Sequence, residues 1–408
     1  METAKIILKP REEGRIRAGH PWVYDNEIAK VEGECESGAE VEVLDAHRRS
    51  LGSAFYNPAS KIRARIYSRT IRPADKAFFI ETLSKALAYR RRFFDPKRQS
   101  MRLAFGEADG LPGLIIDSFV GIDTTAEGQA PGRLGTWLTA QFLCLGVDKR
   151  KPLILEALAE VFPATGIAER SDAPVRKLEG LSSVVGVVAG KVPGRILIEE
   201  NGLSFSVDLL EGQKTGWFLD QRSNRAAAAR YAQGRKVLDA FCNAGGFGLA
   251  CARAGATSVL AVDSSADAVA AVSANAARNG LGSLVEAREA NAFDLLHELQ
   301  HKGEKFGLVV LDPPAFAKNR AAVEGAKRGY KELNLRALKL LDEGGILVTC
   351  SCSHWFGPEL FARMLEEAAA DSGRRIRILE ERTQDLDHPI VSGYGESRYL
   401  KCTIAEAF

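Results

Sequence analysis

Apolar and polar positions along the chain fall into three regimes. From the N-terminus to about residue 70 the pattern is that of short strands and turns. "AEVEVLDAHRRSLGSAFYN" alternates at Val41 and Val43, and "KIRARIYSR" alternates at Ile62, Ala64 and Ile66. This period of two marks half-buried strands, and Lys61, Arg63 and Arg65 fall on the opposite face of the last one. A small β-barrel presenting a basic strand face is expected over residues 1–70. Next, "PADKAFFIETLSKALAYRRRFF" carries Ala77, Ile80, Leu83 and Leu87 at helical spacing, with Pro73 before it and Asp95–Pro96 closing it. Strand-like runs broken by Gly and Pro follow, "MRLAFGEADGLPGLIIDSF" and "ATGIAERSDAPVRKLEG". Residues 72–190 therefore read as a small α+β module, in which 112–136 support no assignment.

From about residue 195 the rhythm changes. After the strands "RILIEENG" and "LSFSVDLL", strands and helices alternate: "KVLDAFC", "GFGLACARAG", "SVLAVD", "SADAVAAVSANAARNG", "FGLVVLD", "YKELNLRALKLL" and "GGILVTCSC". Near-continuous apolar strands separated by helices mean a doubly wound parallel sheet, so residues 195–408 form an α/β domain. Ligands of such sheets bind at the carboxyl ends of the strands, which directs attention to the residues just after each one.

The size, 408 residues, suits two or three domains, and 46% hydrophobic with 26% charged residues is an ordinary globular balance. No run approaches the roughly 20 apolar residues a bilayer span requires, and the N-terminus has no signal-peptide core, so a cytoplasmic location away from membranes is expected. Seven cysteines without a C-x-x-C pair argue against a disulfide framework or a structural zinc site. The net charge of +2 conceals a strong asymmetry. Thirteen Lys/Arg against three acids lie between Lys61 and Phe105, a local +10, so the remainder sums to −8. Such a block is a phosphate-backbone surface or a solvated face, and by itself it does not choose.

In "VLDAFCNAGGFGLACA", Asp239 closes a strand and a loop with Gly245, Gly246 and Gly248 opens a helix. Such a turn lets backbone approach a ligand and offers helix N-terminal N–H donors, although tight packing alone also produces one. The spacing is not the G-x-G-x-x-G of a dinucleotide site. About 20 residues on, Asp263 ends "SVLAVD", where an acid accepts hydrogen bonds from ribose hydroxyls; capping of the next helix by Asp263 or Ser264 is an equally natural role taken alone, and with the glycine loop ribose binding is favoured. Asn291 in "REANAF" follows the next short strand. "VVLDPPAF" holds Asp312 on rigid backbone at a strand end, suited to gripping the edge of an amino-bearing ring. In "GGILVTCSCSHW", Cys350 and Cys352 are two apart. Cys350 belongs inside the strand among apolar neighbours, where a thiol is inert, and Cys352 belongs at the crevice, where a thiolate acts as a nucleophile. Metal binding by this pair with His354 lacks the further ligands a site needs. Finally, "EGQKTGWFLDQRSN" crowds Lys214, Asp220, Gln221 and Arg222 into a turn before a helix, either an ordinary helix start or a ligand-facing lid.

As a set, these segments resemble class I S-adenosylmethionine-dependent methyltransferases. With "HPWVYDNEIA", "NPASKIRARIYSR", "GEADGLPGLIID", "RSDAPVRKLEG" and "GYKELNLRALKLLDEGG", the chain resembles, across nearly its full length, the PUA-domain 23S rRNA cytosine-C5 methyltransferase family. The resemblance implies an N-terminal PUA barrel for RNA, a central module and a C-terminal Rossmann-like domain for S-adenosylmethionine, with 23S rRNA as substrate and a homodimer as the assembly. Residue by residue it implies that Asp239, Phe241 and Gly245 form the cofactor loop, with Gln221 also at the cofactor. Asp263 is the ribose acid and Asn291 the adenine-side residue, where Asp is more usual. Asp312 is the D-P-P acid and Cys352 the nucleophile, whose thiol Arg222 or Lys214 would activate. Many cytosine-C5 enzymes carry a second cysteine after the D-P motif. Ala315 and Phe316 stand there instead, so another base must take the C5 proton. Two rival readings remain: N-methylation of an rRNA guanine or adenine, which needs no cysteine, and a non-catalytic cofactor-binding RNA assembly factor.

Overall fold

The computed structural model describes residues 3–124, 134–212 and 216–408. The chain divides into two units: Met1–Ile198 with Val207–Leu219 and Leu386–Ser397, and Glu199–Ser206 with Asp220–Asp385 and Arg398–Phe408. Among the described residues, no helix is long and apolar enough to cross a membrane.

The first unit begins with a six-stranded sheet whose outermost strands are Trp22–Tyr24 and Ile28–Glu32. Only the single turn Asp25–Glu27 separates these two strands in the chain. Three residues reach at most about 11 Å, so the sheet must roll until its ends approach, which is the small barrel the alternation predicts. Ile6, Val23, Val43, Ala54, Ala64 and Ile66 fill its interior. The helix Lys76–Arg90 follows, capped by the Asp75 carboxylate, which accepts from Phe78 N at 2.8 Å. It packs with Leu114, Ile116, Leu138 and Phe142 of the module's main strands.

The unit departs from the expected boundaries in two places. The strand Arg195–Glu200, expected to open the C-terminal domain, pairs through Ile196–Ile198 with Gly121–Asp123 and so extends the central sheet. The distant segment Leu386–Ser397 also belongs here. Asp387 accepts from Arg90 Nη2 at 2.9 Å and Arg102 N at 2.8 Å, and Tyr394 stands edge-on to Trp22 with ring centroids 5.4 Å apart. The expected region 112–136 resolves into strands Leu114–Asp123 and Leu134–Phe142; its residues 125–133 lie outside the described ones.

The second unit is a seven-stranded sheet with strands β1 Lys236–Ala240, β2 Ser258–Asp263, β3 Val285–Glu289, β4 Phe306–Leu311, β5 Leu341–Ser351, β6 Ile376–Arg382 and β7 Lys401–Ala407. Its helices are α1 Arg222–Ala229, α2 Gly246–Arg253, α3 Ala266–Arg278, α4 Ala292–His301, α5 Val323–Leu340 and α6 Pro358–Ser372. The spatial order is β3-β2-β1-β4-β5-β7-β6. Strands β1 to β5 run parallel, and β7 inserts antiparallel between β5 and β6. The chain order reverses on either side of β1, so the switch point where doubly wound sheets bind ligands lies between β1 and β4. Leu238, Val309, Leu311 and Leu347 of the sheet pack against Leu333, Ala337, Met364 and Leu365 of the helices to form the core.

Candidate active site

The carboxyl edge of this sheet gathers three acids. Asp239, in β1, is 1% exposed; its Oδ2 accepts from Gly248 N at 2.7 Å, while its buried Oδ1 takes no hydrogen bond. Burial pushes the Asp239 carboxyl up to about 7, and the charges of Asp312 and Asp263 add to the rise. The loop between Asp239 and α2 is held in backbone conformations that side chains rarely adopt: φ is +65° at Phe241, +48° at Asn243 and +85° at Gly245. A side chain at Gly245 would meet Leu249 at 2.4 Å and one at Gly246 would meet Arg225 at 2.7 Å. Arg225 is itself fixed there by a two-pronged pair with Glu200 at 2.6 and 2.8 Å. The glycines therefore serve both the turn and the close approach of backbone.

Asp263 closes β2 and braces the same loop, Oδ2 accepting from Asn243 N and Oδ1 from Ser265 N, each at 3.0 Å. The cap of α3 is Ser265, not Asp263 or Ser264. Asn291 caps α4, accepting from Phe293 N at 2.9 Å, and is exposed. Gln221 is buried; its Oε1 accepts from Asn224 Nδ2 at 2.6 Å, and its side chain also bonds the Cys350 thiol. Asp239, Asp263 and Asp312 thus interact at one edge; Gln221 bonds the Cys350 thiol, on which the charge of Asp312 also acts, and Asn291 caps α4.

The two cysteines differ as their positions on β5 require. Cys350 is fully buried opposite Cys402 of β7, and the hydrogen bond with the Cys402 thiol together with burial raises its own thiol well above the ordinary range. Cys352 lies one residue beyond the end of β5 and is partly exposed. Its neighbours Ser351 and Ser353 are both fully buried. The Tyr330 hydroxyl of α5 accepts from Ser351 Oγ at 3.0 Å and shares a 2.8 Å hydrogen bond with Ser353 Oγ, which in turn accepts from Ala317 N at 3.2 Å. The Tyr330 ring packs between Phe316 and Phe356, centroids 4.6 and 5.1 Å away. One tyrosine thereby ties the loop after β4 to the loop after β5 and fixes the backbone on both sides of Cys352.

A cation that the sequence does not single out lies beside Cys352. Arg222 is engaged with Glu200 and Asp385, at 3.9 and 3.7 Å, and Lys214 lies outside the described residues. Lys401, first residue of β7, pairs in register with Ser351; its Nζ donates to Ser353 O at 2.6 Å and Tyr399 O at 2.9 Å. Burial lowers the Lys401 ammonium to about 8, while attraction to Cys352 works against the fall. No local signal in "RYLKCTIAEAF" reveals this role, because it arises from the antiparallel insertion of β7.

Away from this edge, the expected RNA-contacting residues separate. Lys61 is exposed, and Arg63 is half-buried with Asp25 at 3.9 Å. Arg65 does not fit the expected basic face: it is 8% exposed and pairs with Glu107 at 2.7 Å and Glu179 at 3.0 Å. Two acids of the central module thus already neutralise its charge within the unit. Among the described residues no cluster of three metal-ligating side chains occurs.

Residues 181–393 match the S-adenosylmethionine-dependent methyltransferase family, and residues 6–69 match the PUA-like domain. Two solved methyltransferase structures superpose over 98% of this chain and 99% of their own: one from Streptococcus mutans, TM-score 0.82 at 20% identity, and one crystallised with S-adenosylhomocysteine, TM-score 0.83 at 21% identity. At that identity they establish the fold alone. Proteins named ribosomal RNA large subunit methyltransferase I are 40% identical in Tolumonas auensis, over 100% of both chains, and 40% identical in Shewanella denitrificans, over 99% of both. The chain belongs to this ribosomal RNA large subunit methyltransferase I family of S-adenosylmethionine-dependent enzymes.

The residues present suit that cofactor. S-adenosylmethionine is a cation at both its sulfonium and its ammonium. The three interacting acids, and above all the unpaired buried oxygen of Asp239, offer the negative charge that such a ligand needs.

Proposed function

We propose that this enzyme methylates C5 of a cytosine in ribosomal RNA of the large subunit, 23S rRNA, through a covalent adduct with Cys352. What carries the reading is the placement of a partly exposed thiol one residue past β5, between two buried, hydrogen-bonded serines and beside a buried ammonium. The Lys401 ammonium favours the thiolate, and Tyr330 holds the backbone that presents it. The thiolate attacks C6 of the ring, forming the S–C6 bond and pushing an electron pair toward C5. S-adenosylmethionine supplies the methyl group as a sulfonium substituent. C5 takes that methyl, its proton leaves to a base, and the electrons of the C5–H bond expel the thiolate from C6. Asp312, at the end of the strand adjoining β5, would hold the N3–N4 edge of the cytosine. Asp239, Phe241 and Gly245 would line the cofactor, Asp263 its ribose and Asn291 its adenine side.

Lys61 and Arg63 would contact RNA phosphates from the barrel, and Arg65 is withdrawn from that set. The seven free cysteines suit a reducing cytoplasm, and we expect a homodimer, which sedimentation would test.

RNA containing 5-fluorocytosine tests the chemistry, because fluorine at C5 cannot leave as a proton and traps the adduct. The adduct is expected on the peptide holding Cys352. Cys352→Ser should lose methyl transfer by orders of magnitude while still binding S-adenosylmethionine, and Cys350→Ser should retain most of it. Full activity in Cys352→Ser would refute the covalent route and favour methylation of a ring or exocyclic nitrogen.

A further inference from the structure

The thirteen basic residues between Lys61 and Phe105 are not equivalent once folded. Arg65, Arg72, Lys76, Lys85, Arg90 and Arg102 each pair with a carboxylate, Arg63 lies at 3.9 Å from one, and Arg69 donates to the carbonyls of Ile16, Gly19 and His20. Five remain exposed without an acidic partner among the described residues: Lys61, and then Arg91, Arg92, Lys97 and Arg98. Four of the five therefore crowd into eight residues at the end of the helix Lys76–Arg90.

Within that cluster stands an aromatic side chain that burial does not explain. Phe93 is 46% exposed, whereas its neighbour Phe94 packs against the core. Tyr89, one turn earlier, meets Phe93 edge-on with centroids 5.4 Å apart. The platform is rigidly based. Arg90 is fully buried, bonding Asp109 through both guanidinium nitrogens at 2.5 and 2.6 Å and donating to Arg102 O at 3.0 Å. Asp95, the one acid in the turn, spends its side chain on Lys97 N. An exposed aromatic side chain held in a short stretch of exposed cations without acidic partners among the described residues is suited to stacking an unpaired base while neutralising the phosphates beside it. A protein partner would not require four unpaired cations, and a duplex offers no open base face.

We propose that Phe93, with Tyr89 at its edge and Arg91, Arg92, Lys97 and Arg98 around it, is a single-stranded RNA site on which an unpaired base stacks. This rests on the reading of RNA as the substrate and extends it to a surface outside the catalytic unit. The test uses the full-length protein and a single-stranded oligoribonucleotide carrying 2-aminopurine, with a duplex of the same sequence as control. Phe93→Ala should weaken single-strand binding by roughly 5- to 150-fold and abolish the stacking quench of 2-aminopurine. Phe93→Trp should retain both. Arg91→Gln with Arg92→Gln should flatten the salt dependence by about 0.7 in log–log slope for each lost phosphate contact. Unchanged affinity in Phe93→Ala, equal losses on duplex and single strand, or no rescue by Trp would each overturn the proposal. Binding is read without methyl transfer, so a failed 5-fluorocytosine trap would leave it standing. Unchanged S-adenosylmethionine affinity in Phe93→Ala shows that the variant is folded.

Discussion

Replacing Asp239 with Asn tests whether the site is built around a charge it cannot hold comfortably by itself. The carboxyl titrates near 3.8 in an open chain and near 7 in the folded protein, chiefly because it is buried and secondarily because Asp312 and Asp263 face it. At about 1.4 kcal/mol per pH unit, keeping it ionised above pH 7 costs the fold about 4 kcal/mol. The sign follows from proton counts. Between pH 3.8 and 7 the folded state holds a proton that the unfolded state has released, so stability falls as pH rises across that window and levels off above it. Asn keeps the acceptor for Gly248 N and carries no charge, so its contribution is flat. The free energy of opening, read from hydrogen exchange in peptides of β1 and α2, should fall between pH 5 and pH 8 by roughly 2.5 kcal/mol more in the wild type than in Asp239→Asn. The variant should be the more stable of the two at pH 8 and the weaker binder of S-adenosylmethionine. Parallel pH profiles would refute the reasoning, since a carboxylate already satisfied at neutral pH carries no such penalty.

Three further outcomes follow from the same geometry. Lys401→Met should slow alkylation of Cys352 by iodoacetamide about tenfold at pH 7, with Lys401→Arg preserving the rate; because the ammonium titrates near 8, the wild type and Lys401→Met should converge by pH 10. Equal rates at pH 7 would remove Lys401 from the activation of the thiol. Asp263→Ala should weaken S-adenosylmethionine binding by about 1–3 kcal/mol in calorimetry, and more if the loop that it braces through Asn243 N collapses with it. Arg65→Ala should destabilise the first unit by about 3–5 kcal/mol, because it strands the buried carboxylates of Glu107 and Glu179; a loss of RNA affinity with an unchanged melting temperature would return Arg65 to the RNA surface.

What could be read from the chain and what could not divide along a physical line. The parallel strands β1, β2, β4 and β5 were legible because burial on both faces writes them as continuous apolar runs, and their carboxyl ends located Asp239, Asp263, Asp312 and Cys352 directly. Each of those residues sits in a short local motif. Strand β6 was not legible: "IRILEER" is largely exposed and mixes charge with aliphatics, so no period stands out. Without β6 and β7 the antiparallel return was invisible, and with it Lys401, which reaches Cys352 only because β7 lies against β5. Tyr330 was hidden for the same reason. It reads as a helix residue, and its hydroxyl acquires a role only from Ser351 and Ser353 of another element. The basic stretch shows the converse failure. Arg65, Arg90 and Arg92 are alike in sequence, yet Glu107, Glu179 and Asp109 neutralise the first two and leave the third exposed. A reacting group occupies a strand end, which local pattern can locate. The groups that set a side chain's charge come from distant parts of the chain, so the position of Cys352 at the strand end was legible in sequence and the ammonium beside it, Lys401, only in the fold.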